Sequence, residues 1–139
     1  RFLDSLIVRL PGLVGPGLRK NVIFDLLNNN NLNLIDSRSA FQFYPMVNLW
    51  DDIRIAIDAR LKLIHLTSEQ ISVMELSEVC FGKSFNNVLS IPAAAYDMKT
   101  KFAGIFGVVG PYQYSKREII LAVRAYVQSE PSLNFSAEL

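Results

Sequence analysis

The stretch Ser5-Leu6-Ile7-Val8-Arg9-Leu10-Pro11-Gly12-Leu13-Val14-Gly15-Pro16-Gly17 opens as a strand and closes as a loop. Its first half is an aliphatic, partly β-branched run, which predicts a strand largely buried in a sheet. Pro11-Gly12 stops it, and the glycines and prolines that follow keep the chain irregular. The loop hands over to residues 18–27, where Leu18, Val22 or Ile23, and Leu26 recur at helical spacing and predict an amphipathic helix. Strand, loop and helix in that order set the expectation of an α/β layer arrangement, and the rest of the chain repeats the alternation.

Outward from that unit, Asn28-Asn29-Asn30-Asn31 should end the helix, because asparagine is a poor helix former that tolerates the left-handed conformation of C-terminal caps. Leu32-Asn33-Leu34-Ile35 and Phe41 to Val47 alternate in the manner of strands, with Pro45 pushing the second towards an edge or an irregularity. Asn48 as N-cap, Asp51 in the first turn, and Ile53, Ala56, Ile57 and Leu61 on one face predict a helix. Leu61 to Leu66 reads as a strand. Ser72-x-x-Glu75 is a capping box that opens a helix closed by Gly82, and Ser115-x-x-Glu118 is a second box before Ile119, Ile120, Val123, Tyr126 and Val127. Pro131 marks the end of that last helix.

Half of the 139 residues are hydrophobic, which suits one compact domain with a real core. The net charge of +1 without a run of one sign gives no electrostatic footprint for nucleic acid or an anionic membrane, so neither partner is expected. The leading apolar run is broken by Arg9, Pro11 and Pro16, well short of the ~20 residues that span a bilayer. A cytoplasmic protein is expected. Arg1-Phe2-Leu3-Asp4 reads like the tail of a preceding element, so a fragment of a longer protein is expected as well.

Three apparent motifs are weaker than they look. Gly12-x-x-Gly15-x-Gly17 has the glycine order of a dinucleotide fingerprint reversed, and two prolines interrupt it. Tyr112-x-x-x-Lys116 has the spacing of a tyrosine and lysine pair for proton transfer, but Ser115 as N-cap leaves Tyr112 in the preceding loop. The lone thiol, Cys80, has no histidine beside it in sequence and reads as a small buried hydrophobe. Arg9 reads as structural, its stem packed within a buried strand. No metal ligand set is evident.

The segment Leu6 to Gly17 resembles the strand and loop that follow the catalytic helix in extended short-chain dehydrogenase/reductases, the NAD-dependent epimerase/dehydratase family. Further matches run in the family's order: Asn21-Val22-Ile23 in the next helix, Phe41 to Ile53 as strand and helix, Ile64 to Leu76 as strand, turn and helix. Tyr96 to Ala103, with Gly107 and the helix from Ser115, resembles the family's ending.

The resemblance implies the C-terminal, substrate-binding half of such an enzyme, a single domain over residues 1–139 whose Rossmann nucleotide-binding half lies upstream. It implies NAD or NADP in the full-length protein, with none bound by this chain alone, and no catalytic tyrosine and lysine pair here. Leu10, Pro11 and Gly12 would lie beside the nicotinamide; Asn21, Val22 and Gln42 would border a nucleotide-sugar or related small-molecule substrate. Homodimers are compatible with the family. Gly12 stands where family members often have an asparagine, and Phe41 stands nearest the place of an arginine that grips the diphosphate, with Arg38 further back. The alternatives are a non-catalytic ligand-binding module on the same scaffold and an α/β interaction domain without a small-molecule site.

Overall fold

The computed structural model describes residues 5–130 as a mixed α/β arrangement of short strands with helices on both sides. Strand β1 (Ile7–Arg9) runs parallel to β5 (Leu63–His65), with Val8 opposite Ile64. After Leu10 and Pro11 the chain re-enters pairing as β2 (Gly12–Val14), parallel to β4 (Phe43–Pro45), with Leu13 opposite Tyr44. β3 (Ala40–Phe41) is antiparallel to β6 (Ile71–Ser72). Proline has no N–H to give a ladder, and the change of partner from β5 to β4 falls across Pro11.

The side-chain alternation of the β2 and β4 pair divides the interior. Val14 and Phe43 enter a core with Ile23, Leu26, Ile71, Val73, Leu76, Ile119 and Val123, where the helices α1 (Val22–Asn28), α3 (Val73–Phe81) and α4 (Lys116–Ser129) pack. Tyr44 points the other way, into a smaller core with Ala56, Ile64 and Leu66, covered by α2 (Leu49–Asp58) and the 3-10 turn Ala103–Phe106. Gly15 is required by this packing, because a Cβ there would meet the Met46 Cβ at 2.9 Å.

The caps explain where the helices begin and end. α1 starts at Val22 rather than Leu18, because Asn21 Oδ1 accepts the Ile23 and Phe24 N–H groups at 2.9 and 3.4 Å and fixes the start there. It ends as expected on a left-handed asparagine, Asn29, whose N–H reaches the Asp25 carbonyl. Ser115 and Glu118 form the full reciprocal box at α4. At α3 only half of the box is made: Ser72 Oγ accepts from Glu75 N at 3.2 Å, while the Glu75 carboxylate turns to Lys116 Nζ at 2.9 Å. Gly82 closes α3 in the left-handed conformation. Pro131 lies outside the described residues.

Five expectations are corrected. Leu32–Leu34 is a 3-10 turn, not a strand, entered through a left-handed Asn31. The run Phe41 to Val47 is two strands separated at Gln42, and it passes into a 3-10 turn at Met46–Asn48 as soon as Pro45 ends the pairing. Asn48 does not cap α2; its Nδ2 donates instead to Tyr114 Oη at 3.0 Å. The opening strand is not largely buried either, since Ile7 is 59% exposed and β1 pairs with β5 alone among the described residues. Arg9 is accordingly exposed at the strand's end rather than packed inside. No helix among the described residues is long and apolar enough to cross a membrane.

Candidate functional site

A cavity of about 750 Å³ opens where β1 gives way to β2. It is bounded by the start of α1, by residues 34–39, by β3 and β4, and by an irregular segment, residues 89–98. A volume of this size lies in the range of small-molecule sites. Leu10, Pro11, Gly12, Asn21, Val22 and Gln42 all border this one space, although 32 positions separate the first from the last.

Their polar groups, however, are already engaged. Asn21 caps α1 with its carbonyl oxygen and donates Nδ2 to the Leu13 carbonyl at 2.8 Å, tying the helix start to β2. Gln42, buried, donates Nε2 to the Ser68 and Met98 carbonyls at 2.8 Å each and accepts the Met98 N–H at 2.7 Å. Both amides hold the walls in place, each bonded to the chain's own backbone. The Gly12 N–H donates to the Gln42 carbonyl at 3.2 Å, so it too is committed to the fold. A Cβ at Gly12 would lie 3.2 Å from the Phe43 ring; close packing accounts for this glycine.

The segment 89–98 is the wall that inspection of the sequence missed. It has no regular secondary structure yet is fastened at several points: Leu89 N donates to Asp36 Oδ2 at 3.0 Å, Ala40 N to the Ala94 carbonyl at 2.9 Å, and Tyr96 N to the Ala40 carbonyl at 3.0 Å. Such long connections are uncommon unless functional or disordered. Asp36 anchors it from a buried position, with Arg38 Nε and Nη2 bonded to its two oxygens at 3.0 and 2.8 Å. Those bonds hold the Asp36 carboxyl well below the usual carboxylate range.

The charged side chains among the described residues that line the cavity are all carboxylates: Asp25, Asp36 and Asp97. Arg38 spends its guanidinium on Asp36 and on the Leu89 carbonyl at 3.3 Å, and it is not among the lining residues. Phe41, nearest the place where the resemblance implies an arginine, stacks on Tyr96 with ring centroids 5.6 Å apart and 22° between planes. For a dinucleotide the cavity presents an apolar border at Leu10 and Pro11, and the Gly12 N–H beside it is already taken. These residues do not fit a dinucleotide site by themselves.

The other singled-out residues are drawn into structure. Tyr112 donates to Asp97, and that bond, with a contribution from burial, pushes its hydroxyl up to about 12. Lys116 is on Glu75, so the two do not meet as a pair. Cys80 is buried, which raises its thiol to about 11 and makes it a poor nucleophile. His65 Nδ1 lies 3.3 Å from the Lys99 carbonyl. Below the sheet, the buried Asp52 Oδ2 accepts from both Tyr44 and Tyr114, the latter at 2.9 Å. No cluster of three or more His, Cys, Asp or Glu suited to a metal ion occurs among the described residues. Comparison of the sequence with family models and with curated proteins finds no match to either.

Proposed function

We propose that this chain is the substrate-side part of an NAD(P)-dependent oxidoreductase of the extended short-chain dehydrogenase type. It would serve an epimerase, dehydratase or reductase acting on a nucleotide-sugar or a related small molecule, and the cofactor, the catalytic pair and a homodimer contact would come with an upstream half. The observation that carries the reading is the convergence of Leu10, Pro11, Gly12, Asn21, Val22 and Gln42 on one cavity of about 750 Å³. The β1 and β5 pair adds support. Parallel strands belong in sheets covered on both faces, and a two-stranded pair with Ile7 59% and Leu63 38% exposed suits a sheet continued by further strands.

The test is titration of the full-length protein with NADH and NADPH, followed by assay of sugar epimerisation, dehydration or reduction. Cofactor binding with turnover is the expected result. Absence of binding sinks the oxidoreductase reading. A second reading, a ligand-binding module without turnover, is favoured by the Phe41 and Tyr96 stack where the family's anion clamp would be and by the engaged Gly12 N–H. Binding without turnover would select it.

A further inference from the structure

We infer that the ligand of this cavity is a molecule without phosphate, with an apolar ring-bearing body and a basic nitrogen that sits at Asp25. The inference rests on the reading of the cavity as a small-molecule site; of the two substrate classes named above it keeps the related small molecule and sets the nucleotide-sugar aside.

Three observations support it. First, among the described residues the lining carries three carboxylates and no Lys, Arg or His, so a diphosphate entering it would meet like charge. The start of α1 does not offset this, because Asn21 Oδ1 already takes the Ile23 and Phe24 N–H groups. Second, the three carboxylates are unequal. Both oxygens of Asp36 are filled by Arg38 and the Leu89 N–H, and Asp97 takes the Tyr112 hydroxyl and has Lys99 Nζ at 3.7 Å. Among the described residues Asp25 accepts only the Asn30 amide, at 2.8 Å on Oδ1, and neither its Oδ2 nor its charge is answered by another of them. Third, the remaining surface is mostly apolar, from Val22 and Ile35 across Ile91 and Pro92 to the Phe41 and Tyr96 rings. A ring can lie against such walls while an ammonium group answers the open carboxylate oxygen.

The experiment is ligand-observed NMR on the full chain with 2-phenylethylamine, 2-phenylethanol and UDP-glucose as probes, repeated on Asp25→Asn and Asp25→Glu, with thermal unfolding to establish that each variant is folded. The amine should bind saturably and more tightly than the alcohol. It should weaken about tenfold or more in Asp25→Asn, as loss of a charge-assisted bond requires, and recover in Asp25→Glu. UDP-glucose should show no saturable binding. Saturable UDP-glucose binding, no amine binding, or amine binding unchanged in Asp25→Asn would overturn the inference. Failure of the full-length protein to bind NADH or NADPH would sink the oxidoreductase reading and leave this result standing, so the two fail separately.

Discussion

The two sides of the β2 and β4 pair are filled by opposite chemistry. Phe43 looks into a dry core built from α1, α3 and α4, where shape and apolar area do the stabilising. Tyr44, one residue later, looks at a buried carboxylate, Asp52, which also takes the Tyr114 hydroxyl, itself bonded by Asn48. The dry side tolerates exchange among similar volumes. The polar side depends on each member keeping its partner, because a buried group left unpaired costs more than a made hydrogen bond returns.

The sharpest way to break this contrast is Phe43→Ala, which should cost about 3–5 kcal/mol in urea unfolding because it opens a cavity the surrounding helices cannot close. A loss under 1 kcal/mol would mean that the core is looser than its burial suggests. Asp52→Ala should cost about 2–3 kcal/mol by stranding the buried Tyr44 phenol and the half-buried Tyr114 one, and part of that cost should vanish in a Tyr114→Phe background. Additive effects would show that the network is not one unit.

The same side predicts alkaline sensitivity. Burial and then the Asp52 bond raise the Tyr44 and Tyr114 hydroxyls far above their ordinary value. The unfolded chain releases these protons near pH ~10 while the folded chain keeps them, so stability is complete below that pH and falls as pH rises above it. Unfolding followed from pH 8 to 11 should show this fall, and Tyr114→Phe should flatten it. Ser115→Ala, at the helix on the dry side, should cost only about 1 kcal/mol with no pH dependence, by loss of the cap.

Legibility in sequence followed the range of the interactions. The helices α2, α3 and α4 were readable because apolar spacing, Ser-x-x-Glu boxes and Gly82 are local signals. Leu32 to Ile35 misled because Leu-Asn-Leu alternates like a strand, while the Asn87 amide bonds the Leu32, Asn33 and Ile35 carbonyls from more than 50 residues away. Asp52 stood beside Asp51 as another acid in a first turn; nothing local tells that Tyr114 would find it 62 positions later. For the cavity, the resemblance named six bordering residues, but not that Asn21 and Gln42 turn their amides onto the chain's own backbone. Asp25 and residues 89–95 gave no motif to find.

The manner in which that segment is fastened has a consequence for how such a protein changes over generations. Most of its ties run through main-chain atoms, the N–H groups of Leu89, Tyr96 and Met98 and the carbonyls of Ala94 and Met98, while their partners, the Asp36 and Gln42 side chains and the Ala40 backbone, sit on the opposite bank; Tyr96, on Phe41, and Asp97, on Tyr112, are held by their side chains as well. Side chains at positions 89–95 are therefore free to be rewritten without loosening the wall they stand on. Selectivity and foldedness are written on different strips of the chain, and a descendant acquires a new ligand by editing one while the other stays as it is.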